Sequence, residues 1–83
     1  MGTLTLTLYG KPGCHLCHEA RDTVKRALLE RDIALEEVDI TLDPALFARF
    51  GERIPVLELD GEILFEFVVD EDLLQQRLDR VAT

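Results

Sequence analysis

The sequence predicts an α/β domain in which a four-stranded mixed β-sheet carries helices on both faces, in the order β-α-β-α-β-β-α. Three observations carry that reading. Thr3-Leu4-Thr5-Leu6-Thr7-Leu8-Tyr9 alternates β-formers with leucines at period two, the pattern of a strand with one apolar face. Leu16, Ala20, Val24, Ala27 and Leu28 recur at three- and four-residue steps, one apolar stripe at helical period. Asp60-Gly61, the dipeptide favoured by a tight type I′ hairpin, divides two runs rich in apolar and β-branched residues.

Taken in order, the first strand ends where Lys11-Pro12-Gly13 breaks it, and the first helix is expected from about Leu16 to Arg31. Leu35-Glu36-Glu37-Val38-Asp39-Ile40 reads as the second strand. A helix separates it from the first, so the two are expected to pair in parallel through a right-handed crossover. Asp43-Pro44 is a helix-start signal, Leu46, Phe47 and Phe50 form the apolar face of a short helix, and Gly51 is placed to end it in the left-handed conformation. Ile54–Leu59 and Glu62–Phe67 are the hairpin strands. Pro55 lacks an N–H and must lie at the start or edge of its strand. Asp70-Glu71-Asp72 supplies a cap and negative charge for a last helix, with Leu74, Leu78 and Val81 as its stripe, Leu73 beside it, and Arg77 and Arg80 toward its C-terminus.

At 83 residues the chain makes one domain, residues 1–83, near the lower end of what buries a self-sufficient core. Its formal charge is −8, with ten acids and four bases in residues 43–83 against seven and five in residues 1–42. That balance opposes phosphate backbones and anionic lipid, so neither nucleic acid nor membrane is expected as a partner. No basic-plus-apolar leader is evident and no apolar run approaches the roughly 20 residues that span a bilayer, so a cytoplasmic location is expected, and a monomer.

Both cysteines of the chain fall in Cys14-His15-Leu16-Cys17, at the strand-to-helix junction. A loop this short constrains the unfolded chain little, so a structural disulfide is the weaker reading and reactive chemistry the stronger. Cys14 is expected at or just before the first helical turn. There, unpaired N–H groups and the positive helix end favour a thiolate, with Lys11 adding positive charge. Cys17, one turn later, is within reach to resolve a mixed disulfide. His15 either supports the thiolate when protonated or is a solvated helix-start residue, and Lys11 is either functional or a solvated loop lysine.

These residues resemble the thioredoxin fold, and within it the small glutaredoxin-like domains, over nearly the whole chain. The resemblance rests on Leu8-Tyr9 ending a strand, on Lys11-Pro12-Gly13-Cys14-His15-Leu16-Cys17 opening a helix, and on Ile54-Pro55-Val56 before the Asp60-Gly61 hairpin. It implies a thiol-disulfide oxidoreductase with Cys14 as nucleophile and Cys17 as resolving thiol. It further implies a cis-proline at Pro55, leaving the Ile54 backbone free to pair with a substrate. Catalytic residues are thus Cys14, Cys17 and Pro55, and substrate contacts Lys11, His15 and Ile54, with no cofactor or metal. The partners implied are a protein or small-molecule disulfide and, as electron donor, thioredoxin reductase or glutathione. Two departures stand out. Between the cysteines lie His15-Leu16 where typical glutaredoxins have Pro-Tyr, and Phe65-Glu66-Phe67-Val68-Val69-Asp70 lacks the Gly-Gly pair that serves glutathione. Glutathione is therefore expected to bind poorly, through Lys11 and Arg53 if at all.

Other readings of the cysteines are open. Cys14-His15-Leu16-Cys17-His18 is formally a c-type haem attachment string, but a β-strand precedes it and Met1 is the sole methionine. Zinc would crowd four ligands into five residues. A metal or iron-sulfur cluster bridging two chains through Cys14 and Cys17 is the non-enzymatic alternative, and a catalytically retired interaction domain is the other.

Overall fold

The computed structural model describes residues 4–81. Strand β1 is Leu4–Gly10, helix α1 is His15–Ala27, and strand β2 is Ile33–Asp39. A 3-10 turn at Ile40–Leu42 leads to helix α2, Pro44–Phe50; strands β3, Val56–Leu59, and β4, Glu62–Glu66, precede helix α3, Glu71–Val81. The element order is the expected one; Thr3, read as the first strand residue, lies outside the described residues.

The sheet runs β2-β1-β3-β4. β1 and β2 are parallel, from Leu4 opposite Ile33 to Gly10 opposite Asp39. β3 is antiparallel to both β1 and β4, with an irregularity between Leu57 and Glu58. Asp60 and Gly61 have φ of 51° and 84°, positive at both central positions as a type I′ hairpin requires.

Strand alternation sends side chains to two cores, one on each face. Leu6, Leu8, Leu57 and Leu59 meet Ala20, Val24 and Ala27 of α1 and Leu74 and Leu78 of α3. On the other face Val56, Tyr9 and Ile63 meet Ile40, Leu46 and Phe50, under α2. The result is three layers. Burial, then the neighbouring Glu58 carboxylate, push the Tyr9 phenol up, so it stays protonated and donates to Glu58 Oε1 at 3.2 Å.

Five boundaries and the conformation of Gly51 differ from the sequence reading. α1 ends at Ala27, short of Arg31, because the Leu28 and Leu29 amides close the last turn and α3 takes over the helix end: Gln75 Nε2 donates to the Ala27 carbonyl at 3.2 Å. Arg31 leaves the helix to donate to Gln75 Oε1 at 2.9 Å and to pair with Asp79. β2 begins at Ile33 and stops at Asp39, whose side chain accepts from the Thr41 amide at 2.9 Å and starts the 3-10 turn, so Ile40 is a buried turn residue. Gly51 is right-handed, φ −53°, because the chain turns on through an Arg53 amide bond to the Phe50 carbonyl; glycine serves close approach there, since a Cβ would lie 2.6 Å from the Phe47 carbonyl oxygen. Finally, β3 starts at Val56 and β4 stops at Glu66, leaving Ile54, Pro55 and Phe67 in the flanking turns. The caps at Asp43 and Asp70 are as expected, the latter accepting from the Leu73 amide at 3.0 Å.

Candidate active site

The end of β1, the start of α1 and the turn before β3 converge at one end of the sheet. Gly13, φ +76°, turns the chain after Pro12, a conformation that glycine adopts without the steric cost a Cβ would add. Cys14 then becomes the N-cap of α1, its backbone extended and its Sγ accepting from the Cys17 amide at 3.2 Å. A sulfur thus takes the place usually held by a Ser, Asp or Asn oxygen. No acidic residue lies in the first turn of α1 to compete for the positive helix end.

Cys14 and Cys17 are disulfide-linked, with Cα atoms 5.2 Å apart. Their surroundings differ: Cys14 is half-buried, whereas Cys17 is 6% exposed and packs with Ile40, Phe50, Ile54 and Val56. Gly10, at the end of β1, presses directly on Cys17; a Cβ at Gly10 would meet its Sγ at 3.0 Å. Sequence reasoning missed this residue, although a glycine closing a regular strand beside a Cys-X-X-Cys is a usable signal of close approach.

Ile54 and Pro55 are buried beside the pair, and the peptide between them is cis. The Pro55 carbonyl accepts from the Phe67 amide at 2.9 Å, which ties this turn to the end of β4. Lys11 is exposed and lines a hollow of about 240 Å³ together with Cys17 and His18. His15 is also exposed, with Nε2 3.2 Å from Glu19 Oε1 one turn along α1, so its nearest charged partner is a carboxylate. Among the described residues no three or more His, Cys, Asp or Glu side chains group to hold a metal ion, and no helix is long and apolar enough to cross a membrane.

Arg53, considered above for a ligand carboxylate, is engaged by Glu66 through Nε at 3.1 Å and Nη2 at 2.5 Å. Hydrogen bonding to Arg53 holds the Glu66 carboxyl below its ordinary value of 4.5. A carboxyl depressed in the folded chain contributes stability above its ordinary value, and that contribution is lost as pH falls through the folded-state value. Glu66→Gln is therefore expected to lower the urea midpoint at neutral pH, with the gap from the native protein closing in acid, below the ordinary value of 4.5. An equally wide gap in acid and at neutral pH would mean that the ion pair is not its source.

Phe67 and Val68 were not singled out as site residues by the sequence reading. They follow β4 in a turn where Phe67 takes φ +68° and the Val68 amide donates to the Glu66 carbonyl at 2.7 Å. Phe67-Val68-Val69 carries a further apolar run past Glu66, where the strand would be expected to give way to a polar loop, and that was the available signal.

The arrangement matches known proteins throughout. The sequence signature of the glutaredoxin-like domain (DUF836) covers residues 5–79. The chain is 28% identical to the glutaredoxin-like protein YDR286C homolog of Dictyostelium discoideum, over 95% of this chain and 79% of that protein. Among solved structures it resembles protein XcR50 from X. campestris, with TM-score 0.77 and 36% identity over 90% of this chain and 96% of that one. It also resembles a mutant thioredoxin of Halobacterium salinarum, with TM-score 0.70 and 27% identity over 95% of this chain and 74% of that one. The three-layer architecture is therefore thioredoxin-like.

Proposed function

This chain belongs to the glutaredoxin-like domain family, and from that premise we propose that it is a thiol-disulfide oxidoreductase with Cys14 as nucleophile and Cys17 as resolving thiol. The observation that carries the reading is the hydrogen bond from the Cys17 amide to Cys14 Sγ at the helix N-terminus, with Cys17 itself buried. An N–H aimed at sulfur and the positive end of α1 both favour the anion over the thiol.

In the reduced protein the Cys14 thiolate attacks one sulfur of a substrate disulfide. The substrate S–S bond breaks, a mixed disulfide forms, and the other substrate sulfur leaves as a thiolate that takes up a proton. Cys17 then loses its proton and attacks Cys14 Sγ, releasing the second substrate thiol and closing the Cys14–Cys17 disulfide. Two electrons pass from the protein to the substrate, with one proton supplied by Cys17 and one by solvent. A dithiol reductase of thioredoxin-reductase type, or two thiols such as glutathione, returns them.

Ile54 and Pro55 are the proposed substrate-docking segment, supported by the packing of Ile54 with the cysteines and by the burial of Pro55 next to it. Lys11 and His15 are proposed at the rim. Glutathione is proposed as a weak ligand, supported by the engagement of Arg53 with Glu66 and by the bulk of Phe65 and Glu66 where typical glutaredoxins have Gly-Gly.

A redox titration of the Cys14/Cys17 pair against dithiothreitol, combined with turnover on a protein disulfide and on a glutathione mixed disulfide, tests the reading. Reversible two-electron cycling with faster turnover of the protein disulfide is expected. A pair that cannot cycle removes the oxidoreductase reading.

A further inference from the structure

Beside the redox pair, a groove of about 340 Å³ runs between α1 and the Phe67-Val68-Val69 segment. Leu16, which lies between the two cysteines in sequence, forms one wall and is 42% exposed; Phe67 and Val68 form the other and are 48% and 65% exposed. Single exposed apolar residues need no explanation, but these three converge on one concavity at the reactive end of the fold. The Phe67 backbone is also in the left-handed region, unfavourable for a bulky L-residue, and its effect is to hold an aromatic ring in water rather than in a core. The Phe67 amide bond to the Pro55 carbonyl joins this wall to the segment packed beside the disulfide.

Charge gives the groove a sign. Glu19 and Asp22 line it from α1, paired with His15 Nε2 at 3.2 Å and Arg21 Nε at 3.8 Å, neither of which lines the groove. Its one lining cation among the described residues, Arg26, is turned to Glu71, to which Nε donates at 3.2 Å. Glu71, in the first turn of α3, thereby offsets the charge of Arg26 at that end.

Resting on the oxidoreductase reading above, we infer that this groove selects the substrate: an extended protein segment carrying an apolar residue next to its disulfide cysteine and a Lys or Arg one or two positions further. The apolar side chain lies against Leu16, Phe67 and Val68, and the cation faces Glu19 and Asp22. An anionic tripeptide satisfies neither wall.

The test uses the reduced full chain and three synthetic peptide disulfides that differ only in the flanking pair: Leu-Lys, Leu-Glu and Ser-Ser. Disulfide reduction is followed at low and high salt, with 2-hydroxyethyl disulfide as the unflanked reference. The Leu-Lys peptide is expected to be reduced about tenfold faster than the Leu-Glu peptide at low salt, the advantage shrinking as salt screens it. Glu19→Lys combined with Asp22→Lys is expected to reverse that order. Val68→Ser is expected to lower the ratio of Leu-Lys to Ser-Ser rates by a few-fold, about what the loss of one apolar contact gives. Equal rates on the three peptides, with 2-hydroxyethyl disulfide reduced, would overturn the inference and leave the oxidoreductase reading standing. Failure to reduce any disulfide, the reference included, would overturn both.

Discussion

Replacing Cys14 by serine is expected to lower disulfide turnover on the order of 10³-fold or more, because the thiol that remains, Cys17, is buried and lies a turn inside α1 rather than at its N-cap. Cys17→Ser is expected to stop the cycle one step later, with the mixed disulfide accumulating on Cys14. The two variants also separate the thiols by reactivity. The donor to Cys14 Sγ is a backbone amide, which Cys17→Ser leaves in place, so Cys14 should still react rapidly with iodoacetamide at neutral pH. In Cys14→Ser the remaining thiol is 6% exposed and packed among Ile40, Phe50, Ile54 and Val56, and its alkylation should be at least about tenfold slower. Equal alkylation rates in the two variants would show that the roles are wrongly assigned.

Phe50→Ala is expected to cost about 3–5 kcal/mol, the range for truncating a buried aromatic residue. Phe50 is fully buried, its ring centroid 4.7 Å from that of Tyr9, with the Arg49 and Arg53 guanidinium carbons 4.6 and 5.4 Å above the ring. It is the side chain through which α2 grips the sheet, and it packs in the same cluster as Cys17. Small domains are typically stable by about 5–15 kcal/mol, so a loss of this size removes much of the margin. Phe47→Ala is the matched control on the same helix. That ring is 51% exposed, and its removal should stay within about 0.5 kcal/mol. Urea unfolding of both variants measures the difference; similar midpoints would mean that α2 is not held by Phe50.

Much of this could be read from sequence where one residue pattern decided one element. β1 and α1 follow from periods of two and of about 3.6, the hairpin from Asp60-Gly61, and the caps of α2 and α3 from Asp43 and Asp70. The reading fell short where a partner distant in sequence or a local side-chain bond intervened. Leu28 continues the apolar stripe of α1, yet Gln75 of α3 closes the helix at Ala27. Ile40 continues the alternation of β2, yet the Asp39 side chain turns the chain one residue earlier. Phe67 reads as the last residue of β4, but its amide bonds the Pro55 carbonyl, and the residue is left half-exposed. For the candidate site, the cysteine pair and its helix terminus were legible because both are local. The groove was not, since Leu16 and Phe67 are brought together only by the packing of α1 beside the end of β4.

The strand order β2-β1-β3-β4 leaves two open margins on the sheet, and each bears a row of unpaired N–H and C=O groups able to template another strand. Both margins are lined with carboxylates. β2 exposes Glu36 and Glu37 after Asp32, while β4 begins at exposed Glu62 and ends at Glu66. Glu62 and Glu66 are paired with Arg77 and Arg53, whereas Asp32, Glu36 and Glu37 meet a second copy approaching along β2 with like charge, which opposes edge-to-edge pairing there. That protection is electrostatic: salt screens it, and the apolar residues of that margin, Ile33 and Leu35, are then left to guide strands together.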